Sequence, residues 1–420
     1  LLRAFATLRE NQIVKPKTFM LIAGEASGDL LAAELVSALR GKLPDATFFG
    51  AGGAKMSAAG VELAFDLTQH SVIGISDVLK NYFKFRRLFH QLLALAIERK
   101  PDVVIGVDYG GFNLRFGQAI KKEVGKQFGH GRVAPANPWL PKIVQFVSPQ
   151  VWASRPARAN LMEANYDLLL SIFPFEKDWY AQRVPQLRVE FVGHPMIGRF
   201  TNDDLRFTHS SEIRRSRGDE TQIKKNLETP HVVSYKILLL PGSRKSELQR
   251  HLPVMLGALK MIQEKLPAAK AKMVLPNQTL LQLAKSLGAN VEIQIGELPW
   301  ALAEADVAIA STGTVTMECA FFGVPTVTLY KTSWLTYQIA RRIITVKSLT
   351  MPNLLAGETV YPEFVQHDAT PENISRAALE LLQDGSRRIK IKSQLAKIIS
   401  SLGEPGAARR AADAILSLFS

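Results

Sequence analysis

The sequence predicts an α/β protein of two doubly wound, parallel-sheet domains followed by C-terminal helices, and three observations carry that expectation. Short aliphatic and β-branched runs alternate with amphipathic helical segments from end to end. Several runs, such as Val103-Val104-Ile105-Gly106-Val107, are continuously apolar, as strands covered on both faces must be. One polar stretch, residues 201–234, breaks the alternation near the middle of 420 residues, a length that predicts two or three bodies with separate cores.

Strands are expected at Thr18–Ala23, Ala46–Gly50, Val103–Val107, Lys142–Val147, Asp167–Ile172 and Val189–Gly193. Between them lie helical patterns at Leu30–Leu43, Val78–Arg99, Phe112–Lys126, Arg155–Ala164 and Glu176–Gln182. Charged and hydroxyl residues crowd 201–234, which reads as a linker with a polar insertion. Gly129–Pro141 reads as a surface loop. A second set of strands follows at Lys236–Leu240, Lys272–Leu275, Val291–Ile295, Val307–Ala310 and Thr326–Leu329, and Pro371–Ser420 is helical in pattern. The domains so drawn are residues 1–200, 235–370 and the helices of 371–420, which are free to pack back on the first domain. Leu1–Lys17 lacks a small-residue cleavage pattern and reads as a lead-in, not a signal peptide.

Composition bounds the function. With 47% hydrophobic and 21% charged residues the chain is an ordinary globular protein, and a net charge of +14 favours anionic partners: nucleic acid, lipid headgroups or phosphorylated small molecules. Cys319 is the single cysteine, so no intrachain disulfide forms and a reducing cytoplasm is expected. No apolar run approaches the roughly 18 residues of a spanning helix.

Doubly wound sheets bind ligands outside the carboxyl ends of their strands, so chemistry is sought in the loops there. Gly24-Glu25-Ala26-Ser27-Gly28-Asp29 is either a seat for an anion or hydroxyl or a tight turn capped by Ser27 or Asp29. Asp108, before Tyr109-Gly110-Gly111, ends a buried strand and is either a proton acceptor facing a cleft or a turn residue. Trp152, Arg155 and Arg158 follow Val147-Ser148-Pro149-Gln150 and suit a sugar and a phosphate, or else begin a surface helix. Arg244, in Pro241-Gly242-Ser243-Arg244, offers a planar fork to a pyrophosphate, or is an exposed turn residue. Gly313 and Thr314 open a helix that carries Glu318 on the same side as Thr314, a place for ribose hydroxyls or simply a capped first turn. Asn353, in Met351-Pro352-Asn353-Leu354-Leu355, would ordinarily satisfy nearby backbone, His194 is assigned no chemistry, and Cys319 reads as a packing residue.

The stretches GEASGD (24–29), VIGISDVL (72–79), PDVVIGVDYGGFN (101–113), VSPQVWA (147–153) and FPFEKDWY (173–180) closely resemble the bacterial lipid-A-disaccharide synthase family. So do FVGHP (191–195), LLPGSRKSEL (239–248), STGTVTMEC (311–319) and MPNLLAG (351–357), all in family order. The resemblance implies a GT-B glycosyltransferase: two Rossmann-like domains across a cleft, with the nucleotide donor mainly on the second. It implies inverting transfer from UDP-2,3-diacylglucosamine to the primary hydroxyl of 2,3-diacylglucosamine 1-phosphate, without metal or other cofactor. Residue by residue it implies Asp108 as base, Arg244 at the departing UDP, Asn353 as a third functional residue, Glu318 at the ribose, and Glu25 and Ser27 near the acceptor or reacting sugar. Gly313 and Thr314 join the donor side, and Trp152 and Arg155 the substrate loop. Gly110 and Gly111 stand where the family often has a further acid, leaving Asp108 as the lone carboxylate of its loop.

Lipid substrates imply contact with the cytoplasmic face of the inner membrane. Tyr82, Phe83 and Phe89, interleaved with Arg86 and Arg87, give the Val78–Leu95 segment the pattern of an interfacial helix, against the plainer reading of a core helix with solvated cations. A homodimer is a further expectation. Two other readings stand beside this one: another UDP-sugar enzyme of the same fold (an epimerase or a murein-precursor transferase), and a basic nucleic-acid-binding protein. Scattered basic residues with no nucleic-acid module argue against the latter, so no nucleic acid is expected as a partner.

Overall fold

The computed structural model describes residues 16–68, 75–128, 135–199 and 234–419. Residues 201–233 of the expected 201–234 linker, residues 129–134 of the expected 129–141 loop and the side chain of Tyr82 lie outside the described residues. The chain divides into two bodies: one takes the residues up to Val151, Ala157–Pro195 and those from Gly406 on, the other Trp152–Pro156 and Met196–Pro405.

In the first body, β1 (Thr18–Ala23), β2 (Thr47–Gly52), β3 (Glu62–Asp66), β4 (Val103–Val107), β5 (Lys142–Phe146), β6 (Leu168–Ser171) and β7 (Val189–Phe191) form one sheet in the order β3-β2-β1-β4-β5-β6-β7. Every pairing is parallel. Helices α1 (Ala26–Lys42), α2 (Ala54–Ala58), α3 (Ile75–Arg99), α4 (Gly110–Lys126), α6 (Arg158–Asn165) and α7 (Pro174–Ala181) connect them, and the short α5 (Val151–Ser154), which precedes α6 in the chain, belongs to the second body from Trp152 on. The central strands bury both faces, as their unbroken apolar sequence requires.

The second body repeats the scheme. Strands β8 (Lys236–Leu240), β9 (Lys270–Leu275), β10 (Glu292–Ile295), β11 (Val307–Ser311), β12 (Thr326–Tyr330) and β13 (Glu363–Val365) pair in parallel in the order β10-β9-β8-β11-β12-β13. Its helices are α8 (Lys245–Lys265), α9 (Gln278–Ser286), α10 (Leu298–Glu304), α11 (Val315–Phe321), α12 (Trp334–Ile343), α13 (Met351–Ala356), α14 (Pro371–Gln383) and α15 (Gly385–Ser401). The last helix, α16 (Ala407–Leu416), belongs to the first body, where it packs on α1. Lys42 pairs with Asp413 at 2.6 Å, and Arg410 Nε donates to the Val192 carbonyl at 2.8 Å.

Three local expectations are corrected. The helix expected at Arg155–Ala164 starts only at Arg158, as α6, with the separate short α5 ahead of it, because Pro156 biases the residue before it away from helical geometry. Neither Ser27 nor Asp29 caps α1; Glu25 holds that position without a side-chain bond. Asp29 is buried and accepts from the backbone N–H groups of Gly53, Lys55 and Met56 at 2.8, 2.9 and 3.1 Å, so it anchors α2. Strands β3 and β13 are additions: both are edge strands without a continuous apolar run. Among the described residues no helix is long and apolar enough to cross a membrane.

Candidate active site

Each sheet reverses its winding once, between β1 and β4 in the first body and between β8 and β11 in the second. At such a switch point the flanking loops part and leave a crevice at the carboxyl edge. The sequence places Gly24–Asp29 and Asp108–Gly111 at the first, and Pro241–Arg244 and Thr312–Thr314 at the second. Register makes them true neighbours, since Ala23 pairs with Val107 and Leu240 with Ala310.

In the first body the two loops interlock. A side chain at Gly24 would put its Cβ 2.5 Å from the Tyr109 ring, so that position requires glycine, while one at Gly28 would meet the Val107 carbonyl tightly at 3.3 Å. Asp108 and Tyr109 hold left-handed backbone, with φ of +51° and +46°, and Val147 at the next strand end has φ +67°. Each such residue stores strain of order 1–3 kcal/mol and persists only when its surroundings over-determine it. Here the Asp108 carbonyl accepts from Asn113 Nδ2 at 2.8 Å and from Gln145 Nε2 at 2.9 Å, and the same Gln145 amide donates to the Val147 carbonyl at 3.1 Å. Gly106 leaves room for this clamp, for its Cβ would sit 2.6 Å from Gln145 Oε1. The backbone is thus bent so that Asp108 turns out of the strand. Burial pushes its carboxyl above the ordinary aspartate range, opposed by the Tyr109 N–H. Burial likewise raises the Tyr109 phenol, with the Glu25 carboxylate adding to it. Ser27 is exposed beside them.

In the second body a cavity of about 500 Å³ opens at the switch point, lined by Gly242, Ser243, Arg244, Gly313, Thr314 and Glu318 among others. Glu247 organises one wall: it accepts from the Ser243 N–H at 3.1 Å and from Arg244 Nη1 at 2.8 Å. His251 pins the same turn to β12. Its Nε2 accepts from the Lys331 N–H at 2.9 Å, so Nδ1 carries the proton and donates to the Pro241 carbonyl at 2.9 Å. Desolvation lowers the pKa of this histidine, which keeps it neutral. Across the cavity Thr316 Oγ1 donates to the Gly313 carbonyl at 2.7 Å. Burial raises the Glu318 carboxyl, partly offset by the Arg199 guanidinium.

Asn353 lies inside its own loop. Its Nδ2 donates to the Tyr361 carbonyl at 2.8 Å and to Glu363 Oε1 at 2.7 Å, while Oδ1 accepts from the N–H groups of Val360 and Tyr361, both at 2.8 Å. Only 2% of the residue is exposed and its amide is fully used, so it shapes the loop. Asn353→Ala is expected to lower stability by about 2–4 kcal/mol, read as a fall in the denaturant midpoint. An unchanged midpoint with lost activity would return Asn353 to the chemistry. Phe89 is partly buried: its ring packs edge-on against Phe112 and Phe116, beside the core of the first body. Phe83 is 78% exposed, and Arg86 and Arg87 are exposed on the same helix. Trp152 is 7% exposed, which leaves little indole for a sugar, while Arg155 is exposed. Cys319 is buried, its thiol pushed up to about 12.

Sequence reasoning missed Glu247, His251, Asn113 and Gln145. Only Glu247 left a trace, as an acid in the first turn after the Arg244 cap position. Gln145 and His251 act across elements, which spacing along the chain does not reveal, while Asn113 reaches back only to the Asp108 carbonyl of the loop before its helix.

Two Rossmann-like bodies, each with a loop-lined switch point, define the class: a protein of the GT-B fold. Solved structures share that fold at low identity. The glycotransferase of kitacinnamycin has a TM-score of 0.58 and 16% identity over 97% of this chain and 100% of its own. Acinetobacter baumannii MurG has a TM-score of 0.51 and 16% identity over 96% of this chain and 100% of its own. The particular family follows from the sequence. Residues 19–417 match the family described as lipid-A-disaccharide synthetase. The lipid-A-disaccharide synthase of Trichlorobacter lovleyi is 36% identical over 96% of this chain and 98% of its own, and that of Myxococcus xanthus 33% identical over 97% and 99%. The chain belongs to the lipid-A-disaccharide synthase family and is a glycosyltransferase of lipid A biosynthesis, which sets aside the epimerase, murein-precursor and nucleic-acid readings.

Proposed function

We propose that the chain carries diacylglucosamine from UDP-2,3-diacylglucosamine to the primary hydroxyl of 2,3-diacylglucosamine 1-phosphate, with inversion. The acceptor oxygen bonds to the anomeric carbon as the bond from that carbon to the UDP oxygen breaks. Asp108 takes the hydroxyl proton, and Arg244 meets the charge that develops on the departing diphosphate. The observation that carries this reading is the occupancy of both switch points by matching chemistry. One holds a buried carboxylate with a raised pKa, and the other a cavity walled by a guanidinium and small residues. Glu318, a desolvated carboxylate lining that cavity, would accept from a ribose diol, and Gly313 and Thr314 leave the space for a phosphate to approach. Glu25, whose charge bears on Tyr109, and the exposed Ser27 lie on the neighbouring loop and would contact the acceptor.

The enzyme would work at the cytoplasmic membrane surface, touching it through Phe83, Arg86 and Arg87 on α3. The test is purified protein with both acylated substrates in detergent, assayed for UDP and disaccharide. Stoichiometric appearance of both supports the proposal. UDP release without disaccharide would sink it.

A further inference from the structure

Helix α12 buries none of its ten residues. At 3.6 residues per turn its outward face carries Trp334, Leu335, Gln338, Ile339, Arg341 and Arg342, while the opposite side offers Thr336, Ala340 and Ile343. The bulky side chains are therefore on the wrong side for a water-facing helix. Trp334 is 66% exposed, Leu335 59% and Ile339 37%, with Ile344 just beyond the helix at 38%. The helix is nonetheless well defined: Ser333 Oγ accepts from the Thr336 N–H at 3.3 Å, and on its inner side the Tyr337 ring meets His367 edge-on.

Charge selects the occupant. Residues 331–350 hold Lys331, Arg341, Arg342 and Lys347 and no Asp or Glu. Lys331 is spent internally on the carbonyls of Gln366 and Ala369, so the cations open to an outside partner are Arg341, Arg342 and Lys347, all exposed. A contiguous apolar patch marks an interaction surface, and a tryptophan-led patch flanked by cations matches the boundary between acyl chains and anionic headgroups. The helix also leaves the carboxyl end of β12, the edge of the sheet whose loops wall the donor cavity.

We infer that α12 is a membrane-docking element of the second body, lying in the headgroup layer of an anionic bilayer with Trp334, Leu335 and Ile339 directed at the acyl chains. The inference rests on the lipid-substrate reading only for its choice of a bilayer over a protein. Its test is co-sedimentation of the full chain with phosphatidylethanolamine vesicles, with and without phosphatidylglycerol. The triple variant Trp334→Ser, Leu335→Ser, Ile339→Ser is expected to bind the anionic vesicles about tenfold more weakly. Arg341→Gln with Arg342→Gln should weaken binding by a similar factor and flatten its salt dependence. Both variants should form disaccharide at the wild-type rate from detergent-dispersed substrates, which separates failure here from failure of the sugar-transfer proposal. Wild-type partitioning by the triple variant overturns the inference. So does a change in its oligomeric state, which would make α12 a contact between copies.

Discussion

Asp108→Asn is expected to lower kcat by about 10³-fold while leaving the protein at least as stable as the wild type. The first half follows from removing the proton acceptor of the transfer. The second follows from the cause of the carboxyl's perturbation. Burial raises its pKa, so the ionised form is less comfortable in the folded protein than in the unfolded chain. The stability that Asp108 contributes is complete below the ordinary aspartate pKa and is lost as pH rises through the elevated folded value. A neutral amide removes that penalty, and Asn tolerates the left-handed backbone at this position. The Tm advantage of the variant should therefore shrink on acidification below the ordinary aspartate value. In the wild type, the acid limb of kcat/KM should lie above the normal aspartate range. A variant that keeps its turnover, or a wild-type limb at the ordinary value, would remove Asp108 from the role of base.

Arg244→Ala should lower kcat by about 10²- to 10³-fold, because a preorganised cation facing developing charge is lost. Arg244→Lys should recover only part of this, since an ammonium cannot offer the planar fork that spans two phosphate oxygens. The Glu247 carboxylate holds the guanidinium at 2.8 Å before any ligand arrives, which lowers the reorganisation needed during the reaction. Glu247→Gln should accordingly weaken turnover less than Arg244→Ala does. Arg244 is partly exposed, but its removal leaves the Glu247 carboxylate, 12% exposed, without its cation, so Tm should fall modestly while the far-ultraviolet circular dichroism is kept. Full activity in Arg244→Ala would refute its placement at the leaving group.

The central strands were legible because their sequences are apolar without interruption: β1, β4 and β8 begin and end where hydrophobicity alone places them. The edge strands were not. Glu62–Asp66 alternates without a long apolar run and Glu363–Val365 is three residues long, so each is recognisable only beside its neighbour. The site divides in the same way. Asp108 and Arg244 announce themselves as polar residues directly after buried strands. The Gln145 amide reaches two carbonyls beyond its own strand end, and the His251 imidazole joins residues 241 and 331. No periodicity along one chain encodes such a reach. Asn353 was legible from its residue type alone: a lone amide read as satisfying nearby backbone, it bonds the backbone of Val360 and Tyr361.

The packing of α16 on α1 has a consequence for synthesis. Leu35, Val36 and Leu39 of α1 lie on a helix that α16 packs against, with Ala411, Ala412 and Ile415 buried on α16 itself. As the polypeptide emerges from the ribosome, the sheet ending at β7 is finished more than two hundred residues before that cover is translated. The nascent amino-terminal half must wait with an oily flank open while the other half is made. A fragment ended after residue 200 should thus aggregate or recruit chaperones, and supplying residues 406–420 as a peptide should quiet it.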